Sequence, residues 1–142
     1  MTNAAHLVVR LDMPVAWGEQ DLFGHVNNMV YFRYFESVRM HYLERIGVLR
    51  SHQEDGKGVI LASTTWDFKK PVTWPQRLTV RAGTTAVGNT SFTMEYLLTD
   101  ERGEPVATGI SVQVMYDYTS ASKIRVTEEV RAAIQRIQHP SA

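Results

Sequence analysis

The chain has 142 residues, enough for one domain with little room for a second, so residues 1–142 are expected to form a single domain. Fifteen Lys and Arg balance fifteen Asp and Glu, and no dense basic run occurs, which argues against a nucleic-acid partner. The absence of cysteine excludes disulfides, thiolate nucleophiles and cysteine-ligated zinc or iron–sulfur sites, and no stretch reaches the roughly 18 apolar residues of a membrane span. A cytoplasmic protein is expected.

From His6 to Trp17, the residues Leu7, Val9, Leu11, Met13, Val15 and Trp17 fall on alternate positions, the mark of a strand with one buried face. Pro14 predicts an edge position or a bulge, because it cannot donate to a ladder. A polar, glycine-containing loop follows from Gly18 to Gly24, then His25-Val26-Asn27-Asn28. The next segment, about Met29 to Val48, is helical in pattern. Tyr31, Phe35, Val38, Tyr42 and Ile46 recur at spacings of three or four, while Phe32, Tyr34 and Leu43 widen the apolar surface until the first turns are greasy on most sides. Such a helix is surrounded by protein. Asn27 or Asn28 suits its N-cap and Gly47 its end.

After Arg50 to Gly58, four strand-like runs follow, near Val59–Lys69, Gln76–Val87, Thr90–Asp100 and Glu104–Tyr118. Gly88-Asn89 and Asp100-Glu101-Arg102-Gly103 read as hairpin turns. The closing segment, Thr127 to Gln138, opens with a Thr and two Glu and carries an apolar stripe of Val130, Ala133, Ile134 and Ile137, a helix. The order β–α–β–β–β–β–α, with three hairpin-like connections, predicts an α+β fold. In it a curved, five-stranded, antiparallel sheet wraps round a long helix, with a C-terminal helix beside it.

The densest chemistry lies in Trp17-Gly18-Glu19-Gln20-Asp21-Leu22-Phe23-Gly24-His25-Val26-Asn27-Asn28, running into Tyr31 and Tyr34-Phe35-Glu36-Ser37-Val38-Arg39. This stretch resembles the opening motif of the 4-hydroxybenzoyl-CoA thioesterase-like branch of the hotdog superfamily. In that branch an Asp-x-x-Gly-His-Val-Asn-Asn loop leads into an aromatic helix with a Tyr-Phe-Glu-x-x-Arg pattern. Phe68-Lys69-Lys70-Pro71-Val72 and Tyr116-Asp117-Tyr118 with Lys123 extend the likeness over almost the whole chain. Glu19 departs from it, since many members carry an Asp two residues before the catalytic one.

The resemblance implies a hotdog fold and an acyl-CoA thioesterase with no cofactor besides the coenzyme A thioester it cleaves. The catalytic role maps to Asp21 and the polarising donor to the Asn28 backbone N–H. Gly24, His25, Val26 and Tyr31 are the implied substrate-binding residues, and a homodimer or homotetramer is the implied assembly. Thioester hydrolysis needs a carboxylate to attack or to activate water, and donors for the developing oxyanion. A carboxylate just before a buried helix meets both needs, because the first helical N–H groups have no internal partners and the dipole is positive there.

Other readings of the same residues stay open. Asp21 is also what a turn or cap requires. Gly24 lets backbone approach a substrate closely. His25 either orients the acyl group or holds the loop. Glu36 and Arg39, three apart on a helix, read as an ion pair, with Glu36 as a second catalytic carboxylate the sharper alternative. Lys69, Lys70, Arg77, Arg81, Lys123 and Arg125 are candidate contacts for coenzyme A phosphates. Asp21 and His25 lack a nearby third ligand, so no metal is expected. Two competing functions remain: a hotdog enoyl-CoA hydratase using Asp21 and His25, and a non-catalytic acyl-CoA-binding module.

Overall fold

The computed structural model describes residues 4–140. Its elements are β1 (Val9–Pro14), α1 (Asn28–Arg45), α2 (Val48–Asp55), β2 (Lys57–Phe68), β3 (Arg77–Val87), β4 (Ser91–Thr99), β5 (Pro105–Asp117), β6 (Ser122–Lys123) and α3 (Glu128–Gln138), with a 3₁₀ turn at Trp17–Glu19. The sheet is antiparallel in the order β1-β3-β4-β5-β2, and the two-residue β6 pairs with β5. This is the hotdog arrangement. The long helix α1 lies against the concave face, and β1 and β2 are the two edges, which places Pro14 where its missing N–H costs nothing. Among the described residues no helix is long and apolar enough to cross a membrane.

The core is the meeting of α1 with the inward residues of the sheet. Tyr31, Tyr34, Phe35, Val38, Tyr42 and Leu43 pack against Leu78, Val80, Phe92, Met94, Tyr96, Leu98, Val106 and Met115, all buried. In β2 a register shift between Leu61 and Ser63 inserts one residue opposite β5. The shift preserves the burial pattern along a long strand. Leu61 pairs with fully buried Gln113 before it, and Thr64 with fully buried Ser111 after it. Without the insertion, Thr64, Trp66 and Phe68 would turn to the opposite face.

Three expectations need correction. The connection from β2 to β3 is not a hairpin: β2 pairs with β5, and β3 lies between β1 and β4. Trp17 does not continue the buried face of the first strand: the strand stops at Pro14, the chain turns through the 3₁₀ segment, and Trp17 is 69% exposed. The central helix ends at Arg45 rather than near Val48. Gly47, at φ +83°, terminates it and at once caps the separate helix α2, which Gly56 closes at φ +71°. Left-handed backbone at both positions favours glycine.

Trp66 is seated by its neighbours. Its ring stacks on Phe35 with centroids 4.0 Å apart and planes within 6°, and its other face lies over Gly109, where a Cβ would collide with the indole. A Gly109→Ala chain should therefore lose about 1–3 kcal/mol of stability through overpacking. A urea titration will show this as a lower midpoint at unchanged slope. An unshifted midpoint would mean that the indole does not need that space.

Candidate active site

The loop from Gln20 to Val26 is a closed, cross-bonded turn. Gln20 and Val26 form an antiparallel bridge, the Asp21 N–H donates to the His25 carbonyl (2.7 Å), and the Gly24 N–H donates to the Asp21 carbonyl (3.1 Å). Gly24 has φ +76°, and no protein atom lies within 4 Å of where a Cβ would stand. This left-handed backbone conformation calls for glycine. The loop is fastened to the body of the protein by the Val26 N–H, which donates to the Val72 carbonyl (2.8 Å). Leu22 and Phe23 stand at its tip, exposed.

Inside this turn the Asp21 carboxylate is half used. Its Oδ1 accepts from the Phe23 N–H (2.8 Å) and the His25 N–H (3.3 Å), whereas Oδ2 has no partner among the described residues. The turn-forming and the chemical readings of Asp21 are thus compatible: one oxygen fixes the group, and the other remains available.

Shortly after this loop, α1 begins. Asn27 is its N-cap. The Asn27 side chain accepts from the Met29 N–H (2.9 Å), and its carbonyl accepts from the Val30 N–H (2.9 Å). Asn28, the first helical residue, is passed over, and its N–H has no partner among the described residues. An unpaired amide at the start of an 18-residue helix carries the positive end of the dipole.

Asp21, His25, Val26, Asn28 and Tyr31 come together on one cavity of about 340 Å³, whose other wall is Phe68, Lys69, Lys70 and Pro71. Of the six predicted site residues only Gly24 does not line it. Tyr31 is buried, makes an edge contact with Phe68 at 5.0 Å, and has its hydroxyl pKa raised by that burial. Val26 is core as well as lining. Of the basic candidates, Arg77, Arg81, Lys123 and Arg125 do not line the cavity. Lys70 is held by Asp100 (2.5 Å) and Glu104 (3.1 Å), which raise its pKa, and the Lys70 ammonium in turn lowers that of Asp100. Lys69 is exposed and makes no ion pair among the described residues, which leaves it as the uncommitted cation at the rim.

A larger cleft of about 460 Å³ lies at the far end of α1. Its charged residues are of both signs: Arg45, Arg50, Glu54, Asp55, Glu129 and Arg136 are exposed and Lys57 is half-buried. Among the described residues no group of three His, Cys, Asp or Glu is placed to hold a metal ion.

One residue that the motif did not single out holds the site in place. The Glu19 side chain, 11% exposed, takes the Arg33 guanidinium in an ion pair and accepts from the Tyr34 hydroxyl (3.0 Å) and the Ala16 N–H (2.7 Å). Its carbonyl accepts from the Asn27 N–H (2.9 Å). Glu19 therefore ties the loop to the first two turns of α1. The expected Glu36–Arg39 ion pair is absent among the described residues: Glu36 is exposed, Arg39 is buried, and the two do not meet. Helical spacing brought their backbones together, but their side chains point to different depths.

Residues 15–134 match the family model of the thioesterase-like superfamily. Among curated proteins, the uncharacterized protein YsmA of Bacillus subtilis (strain 168) is 32% identical over 120 residues, covering 84% of this chain and 80% of that one. Among solved structures, a thioesterase from Thermus thermophilus, crystallised with coenzyme A and zinc, superposes with a TM-score of 0.83 at 27% identity, over 94% of this chain and 96% of its own. The PA5185 protein of Pseudomonas aeruginosa strain PAO1 superposes with a TM-score of 0.81 at 27% identity, over 96% of both chains.

Removing the Glu19 carboxylate strands the hydroxyl of fully buried Tyr34, whereas exposed Arg33 and Ala16 can turn to water. Glu19→Ala is expected to cost about 1–3 kcal/mol, the cost of one buried donor left unpaired. Chemical denaturation measures it, and a loss below about 0.5 kcal/mol, the level of an ordinary surface change, would remove Glu19 from this role.

Proposed function

Because the chain belongs to the thioesterase-like superfamily, we propose that it hydrolyses an acyl-CoA thioester to a free carboxylic acid and coenzyme A. Asp21 serves as nucleophile or general base, and the Asn28 N–H polarises the carbonyl. The observation that carries this reading is a pairing on one cavity: a carboxylate with one free oxygen, and a helix-start amide without a partner among the described residues. The coenzyme A bound to the Thermus thermophilus relative supports the choice of thiol.

In this reading the thioester carbonyl sits over the Asn28 N–H, in the cavity that Asp21 also lines, with its carbon open to Asp21 Oδ2. Two routes balance. Either Oδ2 adds to the carbonyl carbon, the C–S bond breaks and water then cleaves the mixed anhydride, or Oδ2 takes a proton from a water that adds directly. In both the thiolate leaves and is protonated. The oxyanion is met by a fixed dipole that needs no reorganisation, which is where such sites gain most of their rate. Lys69, exposed at the rim, is the cation this reading gives to a coenzyme A phosphate.

The assembly proposed is at least a dimer. Both edge strands lack partners on their outer sides among the described residues, and Trp17, Leu22, Phe23 and Met29 expose large apolar side chains. A monomer by light scattering at micromolar concentration would contradict it.

Two substitutions separate chemistry from folding. Asp21→Asn keeps an oxygen to accept from Phe23 and His25, so the melting midpoint should hold while thiol release falls roughly 10²–10⁴-fold, the range of a lost acid–base group. Asn28→Pro deletes one N–H at the helical position that tolerates proline best, after a residue whose ψ of 138° already suits it. That change should lower kcat about 10²–10³-fold with the helix intact. Full turnover in either variant defeats the assignment. Loss of the enoyl absorbance of crotonyl-CoA without thiol release would assign hydration instead, and binding without either would assign a carrier module.

A further inference from the structure

Among the described residues, three buried side-chain polar atoms have no hydrogen-bond partner: Arg39 Nη1, Thr64 Oγ1 and Trp66 Nε1. All three residues line one cavity of about 410 Å³ between α1 and β2, together with Phe32, Glu36 and Leu61. Unpaired buried donors are rare in folded proteins, and three on one cavity point to a missing acceptor. Arg39 is only 8% exposed and makes no ion pair among the described residues, so its charge lies withdrawn from water without a counterion.

The cavity continues the seam of the proposed active site. The site cavity uses Asn28 and Tyr31 of α1 with Phe68 of β2, and this one uses Phe32 and Arg39, further along α1, with Trp66 and Thr64, the next positions on the same face of β2. Phe32 lines this cavity against Trp66 (5.9 Å), and Phe68 lines the site cavity against Tyr31 (5.0 Å), both partly exposed. Asn28 and Arg39 are eleven residues apart, about 16 Å of helix, and the arginine side chain shortens the gap because helical side chains lean toward the N-terminus. The guanidinium is backed by a polar chain in the core. It neighbours the Tyr96 hydroxyl, which shares a hydrogen bond with Ser111 (2.6 Å), and Ser111 in turn bonds Gln113.

We propose that this cavity is the far end of the acyl site, where Arg39, with Thr64 and Trp66, binds a carboxylate at the distal end of the acyl chain. The substrate class is then the coenzyme A monothioester of a dicarboxylic acid. The inference rests on the thioesterase reading above. An apolar chain end would leave all three donors unpaired, the arrangement by which buried polar sites reject substrates lacking a matching group. Glu36 and Arg33 also line the cavity; Arg33 is paired with Glu19, and the exposed Glu36 carboxylate acts through water at high dielectric, where its repulsion is weak.

The test compares suberyl-CoA with octanoyl-CoA, which share a chain length, by thiol release. The expected result is a kcat/KM at least roughly tenfold higher for suberyl-CoA, at the low end of what leaving buried polar groups unpaired costs. In Arg39→Met that ratio should fall toward one, chiefly through a higher KM for suberyl-CoA, and Arg39→Lys should recover part of it. A wild-type ratio of one or less overturns the proposal. So does an equal loss on both substrates in Arg39→Met, or a change in its oligomeric state by light scattering, which would give Arg39 to a contact between copies. Should Arg39→Met not fold, free suberate and free octanoate are compared as inhibitors of the wild-type protein. Suberate must inhibit more strongly, and the reverse order overturns the proposal. If neither thioester is cleaved, the thioesterase reading fails, and calorimetry with suberate then decides the subsite by itself: binding supports it and no binding ends it.

Discussion

A helix enclosed by a sheet begins with amides that neither the helix nor, on its covered sides, water can satisfy. At the start of α1 this constraint is met piece by piece. The Asn27 side chain takes the Met29 N–H, and the Asn27 carbonyl takes that of Val30. Glu19 holds Asn27 itself through its backbone carbonyl and grips Arg33 and Tyr34 one to two turns further on. The Asn28 N–H is what this accounting leaves over, and the loop that carries Asp21 is fastened to the body of the protein at Val26 and Val72, within reach of the same cavity. The site is thus a by-product of capping with one position left unfilled, and the dipole of the whole helix is focused on that position.

The sheet supplies the opposite wall, and it does so through one inserted residue and one glycine. The register shift in β2 turns Thr64, Trp66 and Phe68 toward α1, and Gly109 lets the Trp66 indole lie flat against Phe35. Trp66 then carries Phe32 at 5.9 Å, and Phe68 carries Tyr31 at 5.0 Å. A slip of one residue in this strand would send the aromatic wall to the other face and leave α1 without a partner along the seam. Packing and site geometry depend on the same backbone irregularity.

Much of this was readable in the chain. The alternation in β5, the two hairpin turns and the capped ends of α1 and α3 are local signals, and local signals fix elements. The motif around Asp21 is also local, which is why five of its six predicted residues reach one cavity. What escaped reading depends on contacts between distant positions or on depth. Glu19 meets Arg33 across fourteen residues, and nothing in either segment marks the meeting. Helix α2 is short and polar past Leu49, so no periodicity reveals it, and its bounding glycines at 47 and 56 were its one sign. Glu36 and Arg39 have the spacing of a helical ion pair, but spacing states only which backbone atoms are near. Burial decides whether side chains meet, and here Arg39 points into the protein while Glu36 stays in water.

That last failure is informative because a buried guanidinium without a counterion is hard to retain for stability alone. A lone buried charge is costly because its desolvation is not offset. Arg39 lies beside the unpaired donors of Thr64 and Trp66 on a cavity with room for an acceptor. The seam from Asn28 to Arg39 has unpaired donors at each end and aromatic rings between. Ligand sites in general are apolar walls with a few polar groups that fix orientation. A molecule matching this one carries oxygen at both ends of a hydrocarbon segment, one end held at the start of α1 and the other deep along its flank.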